Sequence, residues 1–134
     1  MKCYLTFHLM QELIFGDPVR AKEIEKALTI LLKKETPLYT SALALDRLLE
    51  QEKDHLHSEI ILAQSEILFN EIFSFTTEDL RLGICLAKEY SGNLADFFEL
   101  ALCINSGMEL IIDATDLLKI QKMISVRNLC TEGM

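Results

Sequence analysis

Asp96 and Glu99 stand three residues apart in "LADFFELALCINSG", almost the only polar side chains of an otherwise apolar helix pattern. At that spacing both project from one helix face, so one ion or one water would feel both. An ionised carboxylate in an apolar setting is costly unless a cation compensates it. Asp46 falls inside the apolar stripe read from "SALALDRLLEQEKD", and Asp113 and Asp116 bound "DATD" after the apolar run "MELII". Gathered at one place, these carboxylates would suit Mg²⁺ or Mn²⁺, hard cations that prefer oxygen ligands. A metal so held activates water and steadies charge on a phosphodiester. Each acid also has an ordinary reading: Asp46 as a surface residue or ion-pair partner beside Arg47, Asp96 as a first-turn partner of the helix dipole, Asp113 and Asp116 as caps ahead of "LLKIQK".

The elements that must position these groups follow from pattern and punctuation. "KCYLTF" reads as a short buried strand and "HLMQELIFG" as a helix ended by Gly16. Asp17 and Pro18 open a second helix reaching Lys34, with Asp17 as N-cap and Pro18 in the first turn. "ETPLYT" is extended, because Pro37 turns its predecessor away from helix. The next helix starts at Ser41 and reaches about Glu52, with Ala42, Leu45 and Leu49 on one stripe. "HSEIILAQSEILFNE" is a helix with Ser58 as candidate cap, and "IFSF" a strand. Thr76 or Thr77 caps a helix whose first turn holds Glu78 and Asp79. After "YSGN", the helix carrying Asp96 and Glu99 ends at Gly107 in the left-handed conformation. "MELII" is then a strand, "TDLLKIQKM" a short helix and "ISVRNL" a last strand or tail. Strands separated by helices require crossovers over a mostly parallel sheet, whose sites form at the strands' carboxyl ends. Thr6, Asp113 and Asp116 fall at such ends.

Composition narrows the function classes. A chain of 134 residues, half of them hydrophobic and 25% charged, suits one globular domain over 1–134. The net charge of −8, from 13 basic and 21 acidic residues, argues against a general nucleic-acid binder unless a metal or partner supplies positive charge. Cys3, Cys85, Cys103 and Cys130 form no C-x-x-C pair and read as buried free thiols; His8, His55 and His57 have no cysteine at zinc-ligand spacing. No apolar stretch is long enough to span a bilayer and the first residues lack a secretory pattern, so the expected location is cytoplasmic, with no membrane partner.

In order and spacing, "YLTFHLMQEL", "LYTSALALDRLLE", "FTTEDLRLGICLAKEY", "LADFFELALCINSG" and "LIIDATDLLKI" resemble the successive blocks of PIN domains, over residues 3 to 126. The resemblance implies a three-layer α/β/α sandwich with a central, mostly parallel sheet of four to five short strands. It implies Mg²⁺- or Mn²⁺-dependent ribonuclease chemistry of the toxin–antitoxin type, a homodimer, and an antitoxin-like protein partner. Asp46 would match the family's acid after the capping serine of its second block, and Asp96 the acid opening its central helix. Catalysis would then run through Asp46, Asp96 and one of Asp113 or Asp116, with Glu99 orienting a water. The chain departs from the pattern twice: Thr6 stands where the family has the Asp ending its first strand, and Thr115 stands at the acidic place of the last block, between Asp113 and Asp116. A hydroxyl is a neutral, weaker Mg²⁺ ligand. Two functions are therefore expected to compete: a PIN-like module with a degenerate metal site and reduced or lost ribonuclease activity that acts in binding or assembly, and an active metal-dependent endoribonuclease with RNA as partner.

Overall fold

The computed structural model describes residues 2–113. The elements run β1 (Cys3–Leu5), α1 (Phe7–Phe15), α2 (Pro18–Lys33), β2 (Leu38–Ser41), α3 (Ala42–Leu49), α4 (His55–Leu68), β3 (Glu71–Phe73), α5 (Thr77–Glu89), α6 (Leu94–Asn105) and β4 (Leu110–Ile112). The four strands form one sheet in the order β3-β2-β1-β4, and every neighbouring pair is parallel. The expected crossover architecture is thus present. The expected helix "TDLLKIQKM" and final strand "ISVRNL" lie outside the described residues.

Alternation along the strands builds two cores. In β1, Cys3 and Leu5 face the helices α1 to α4, whereas Tyr4 faces α5 and α6. Leu38 and Tyr39 divide in the same way, as do Ile111 and Ile112. Helices on both faces of a parallel sheet make the three-layer sandwich, and such a sheet needs both faces covered to be stable.

Local chemistry starts the elements where expected in most cases. Asp17, Ser41, Thr76 and Asn93 each accept a backbone N–H from the first turn of the helix that follows, whereas Thr6 and Phe7, read as strand, leave it: β1 ends at Leu5 and Thr6 caps α1 in the same way. Thr76 and Asp79 complete a reciprocal capping box, and Asp79 also accepts from Asn105 Nδ2 at 2.8 Å, which ties α5 to the end of α6. Gly107, at φ 72°, ends α6 in the left-handed conformation that glycine adopts without steric cost. The N-cap of α4 is Asp54 rather than Ser58, one turn earlier than expected. Asp54 accepts from Leu56 N at 3.0 Å, and Ser58 already sits inside the helix.

The phase of α3 differs from expectation with larger consequence. Its buried residues are Ala44, Leu45 and Leu48, while Ala42 and Asp46 are exposed. Leucines at 43, 45, 48 and 49 make two wheel phases almost equally apolar. Tertiary packing chose the one that turns Asp46 outward and Arg47 inward. Among the described residues no helix is long and apolar enough to cross a membrane.

Candidate functional site

In the strand order, β2 and β3 lie on one side of β1 and β4 on the other, so the order in which strands are added reverses between β1 and β4. In open parallel sheets ligand crevices form at the carboxyl ends of the strands flanking such a reversal. A cavity of about 290 Å³ opens there, lined by Thr6, His8, Asp96, Glu99 and Asp113 over an apolar floor that includes Phe97, Leu100 and Ile111.

Each polar group is placed by an element start or end. Thr6 follows β1, caps α1 by accepting from Leu9 N at 3.2 Å, and donates its hydroxyl to Asp113 Oδ1 at 2.9 Å. Asp113 follows β4 beside it, where Thr6 N also bonds the Ile112 carbonyl at 3.2 Å. Asp96 and Glu99 project from one face of α6, as their spacing predicts.

Glu99 is the most confined of these groups, with 3% of its surface exposed. Its Oε1 accepts from Tyr4 Oη at 2.8 Å and from Phe7 N at 3.1 Å, and its Oε2 accepts from Arg47 Nη1 at 2.6 Å. The Tyr4 hydroxyl proton points to Glu99, so the 2.8 Å bond between Tyr4 and Ser41 is donated by the serine hydroxyl, which itself accepts from Ala44 N at 3.1 Å. The start of α3 is thereby wired to the middle of α6. Burial pushes the Glu99 carboxyl upward from its ordinary value, against the opposing pull of Tyr4, the Phe7 N–H and Arg47.

Arg47 spans the two acids. The nitrogen that binds Glu99 also lies 3.0 Å from Asp96 Oδ1, and the guanidinium carbon sits 4.2 Å from the centre of the Phe7 ring. Asp96 Oδ1 meets His8 Nε2 at 2.8 Å as well. The hydrogen bond to Asp96 holds the His8 pKa above its ordinary value, opposed by partial burial. Burial acts to raise Asp96, but His8 and Arg47 together outweigh it and hold the carboxyl below its ordinary value. With His8 protonated, Asp96 and Glu99 face one guanidinium and one imidazolium, while Asp113 lines the same crevice and accepts from the Thr6 hydroxyl.

Of the residues predicted as a site, Thr6, Asp96, Glu99 and Asp113 line one crevice. Asp46 does not line it and is exposed, and Arg47, one position on, is the α3 side chain that bonds Asp96 and Glu99. Asp116 and Thr115 lie outside the described residues. Among the described residues no group of three or more His, Cys, Asp or Glu side chains is arranged to hold a metal ion. The donor set that is present does not fit Mg²⁺ or Mn²⁺ as it stands, because the oxygens facing each other across Arg47 already accept from it.

No protein-family model, curated protein or solved structure matches this chain.

Sequence reasoning missed Tyr4, His8 and the inward turn of Arg47. One signal bore on Arg47. With Ser41 as N-cap, the residues nearest the sheet in a short helix are those three, four and seven positions on, here Ala44, Leu45 and Leu48, and Arg47 shares a face with Ala44. Tyr4 carried no signal, since a tyrosine in a buried strand needs only some partner for its hydroxyl.

Proposed function

We propose that the chain is a PIN-like module whose crevice is balanced by its own arginine instead of a divalent ion, and that it works by binding or assembly, with ribonuclease activity reduced or lost. The observation that supports this reading is the position of Arg47, 2.6 Å from Glu99 and 3.0 Å from Asp96. A guanidinium between two carboxylates removes the repulsion that would otherwise draw a cation in, and it adds hydrogen bonds of fixed direction. Thr6 agrees with this, since a neutral hydroxyl replaces the acid that the PIN pattern has at the end of the first strand, and it is spent on capping α1 and bonding Asp113.

The test is Mn²⁺ binding followed by calorimetry and thermal unfolding, together with cleavage of a mixed single-stranded RNA. The unmodified chain should show no Mn²⁺-dependent rise in Tm and no cleavage above a protein-free blank. Thr6→Asp alone should stay silent, because Arg47 still occupies the space between the acids. Thr6→Asp combined with Arg47→Ala should gain Mn²⁺ binding, and Asp96→Asn should remove that gain. Mn²⁺-dependent cleavage by the unmodified chain, abolished by Asp96→Asn, would overturn the reading in favour of the active nuclease.

A further inference from the structure

Helix α4 buries one narrow side, Ile61 and Ser65, with Leu68 half-buried next to them. Its other side is unusual for a surface. On a wheel of about 100° per residue, Leu56, Ile60, Ala63 and Ile67 fall within an arc of roughly 60° that points about 150° away from the buried side. All four are exposed, Leu56 at 66%, Ile60 at 45% and Ile67 at 87%. Their alternating steps of four, three and four residues are the a/d alternation with which two helices interlock. Glu59 and Glu66 run along one flank of this stripe, both exposed, while Gln64 and His57 form the other flank and His57 is held by Glu52.

We propose that the outward stripe of α4 is a docking surface for a basic amphipathic helix of another protein. The partner's apolar seam would lie on Leu56, Ile60 and Ile67, and its lysines or arginines would face Glu59 and Glu66. Charge selects this occupant over the alternatives. In an antiparallel pair of copies Glu59 would meet Glu66 of the second copy, and each copy brings a net charge of −8. An anionic membrane surface would be repelled by the same two glutamates.

None of the residues lining the crevice belongs to α4, so the metal test and the docking test fail independently. The docking test titrates the full chain against a labelled synthetic helix with leucine at a and d and lysine at e and g, read by fluorescence anisotropy. The control helix has the same seam with glutamate in place of lysine. The lysine helix should bind, the glutamate helix at least about tenfold more weakly, and raising NaCl from about 50 to 300 mM should weaken the complex. Ile60→Asp and Ile67→Asp should each cost at least about tenfold in affinity with an unchanged circular dichroism spectrum and Tm, since both side chains are outside the core. Glu59→Lys with Glu66→Lys should cost as much. Glu78→Lys with Glu89→Lys, the same charge change on exposed positions of α5, should leave affinity within about twofold. The proposal is overturned by an absence of binding, by equal losses from the two lysine pairs, by indifference to the isoleucine changes, or by a concentration-dependent dimer in sedimentation that Ile67→Asp abolishes, which would make a second copy the occupant.

Discussion

Replacing Arg47 by methionine tests the physics of the crevice most directly. Methionine keeps an unbranched apolar stem and removes the guanidinium that lies over Phe7, leaving Glu99, with 4% of its side chain exposed, without its cation. Removing one partner of a buried ion pair costs about 3 to 5 kcal/mol when the remaining charge has no escape. Glu99 does have one: it can take up a proton. Starting from the ordinary carboxyl value of 4.5, holding that proton at pH 7 costs about 1.36 kcal/mol per pH unit over the difference, or ~3.4 kcal/mol. This escape caps the loss at pH 7, and the same reasoning gives ~0.7 kcal/mol at pH 5. The sign follows from linkage. A carboxyl whose folded pKa is raised contributes stability below its unfolded pKa and loses it as pH rises, so the deficit of Arg47→Met must grow with pH. Urea denaturation at pH 5, 6 and 7 measures it, and at pH 7 the Tm should fall by ~10 °C for a chain of this length. Arg47→Met combined with Glu99→Gln should recover most of the loss, because glutamine still accepts from Tyr4 and Phe7 N without a charge. A deficit under about 1 kcal/mol at pH 7, equal at pH 5 and undiminished in the double variant, would refute the view that Arg47 compensates a buried glutamate.

Two other outcomes are expected. His8 gains its raised pKa from Asp96, so its contribution to stability is complete below its ordinary value of 6.5 and is lost as pH rises through the folded value; the Tm gap between the unmodified chain and His8→Gln should be widest near pH 6 and close toward pH 9, and a gap independent of pH would sink the pairing. Gly83→Ala should destabilise by ~1 to 2 kcal/mol in denaturant titration although alanine is the better helix former, because the new Cβ would lie 2.3 Å from Phe98 Cδ1 and 3.2 Å from Phe98 Cα where α5 meets α6; a more stable variant would mean that the two helices do not approach so closely.

Much of the fold was legible along the chain because its cues are local. Asp17-Pro18, Ser41, Thr76, Asn93 and Gly107 mark helix ends through side-chain and backbone chemistry that acts within one turn. The alternation of strands with helical stretches fixes a parallel sheet, because successive strands cannot close as hairpins. The same-face pairing of Asp96 and Glu99 is equally local, a matter of three residues on one helix. What α3 presents to the crevice is not local. Its leucines permit two phases of almost equal apolarity, and only packing on the sheet, with Ser41 bonded to Tyr4 across 37 residues, turned Asp46 out and Arg47 in. The chemistry of the crevice follows from that rotation. The number of carboxylates was written in the sequence, but which charge stands between them depends on contacts between residues 47, 96 and 99, which no pattern within a single helix records.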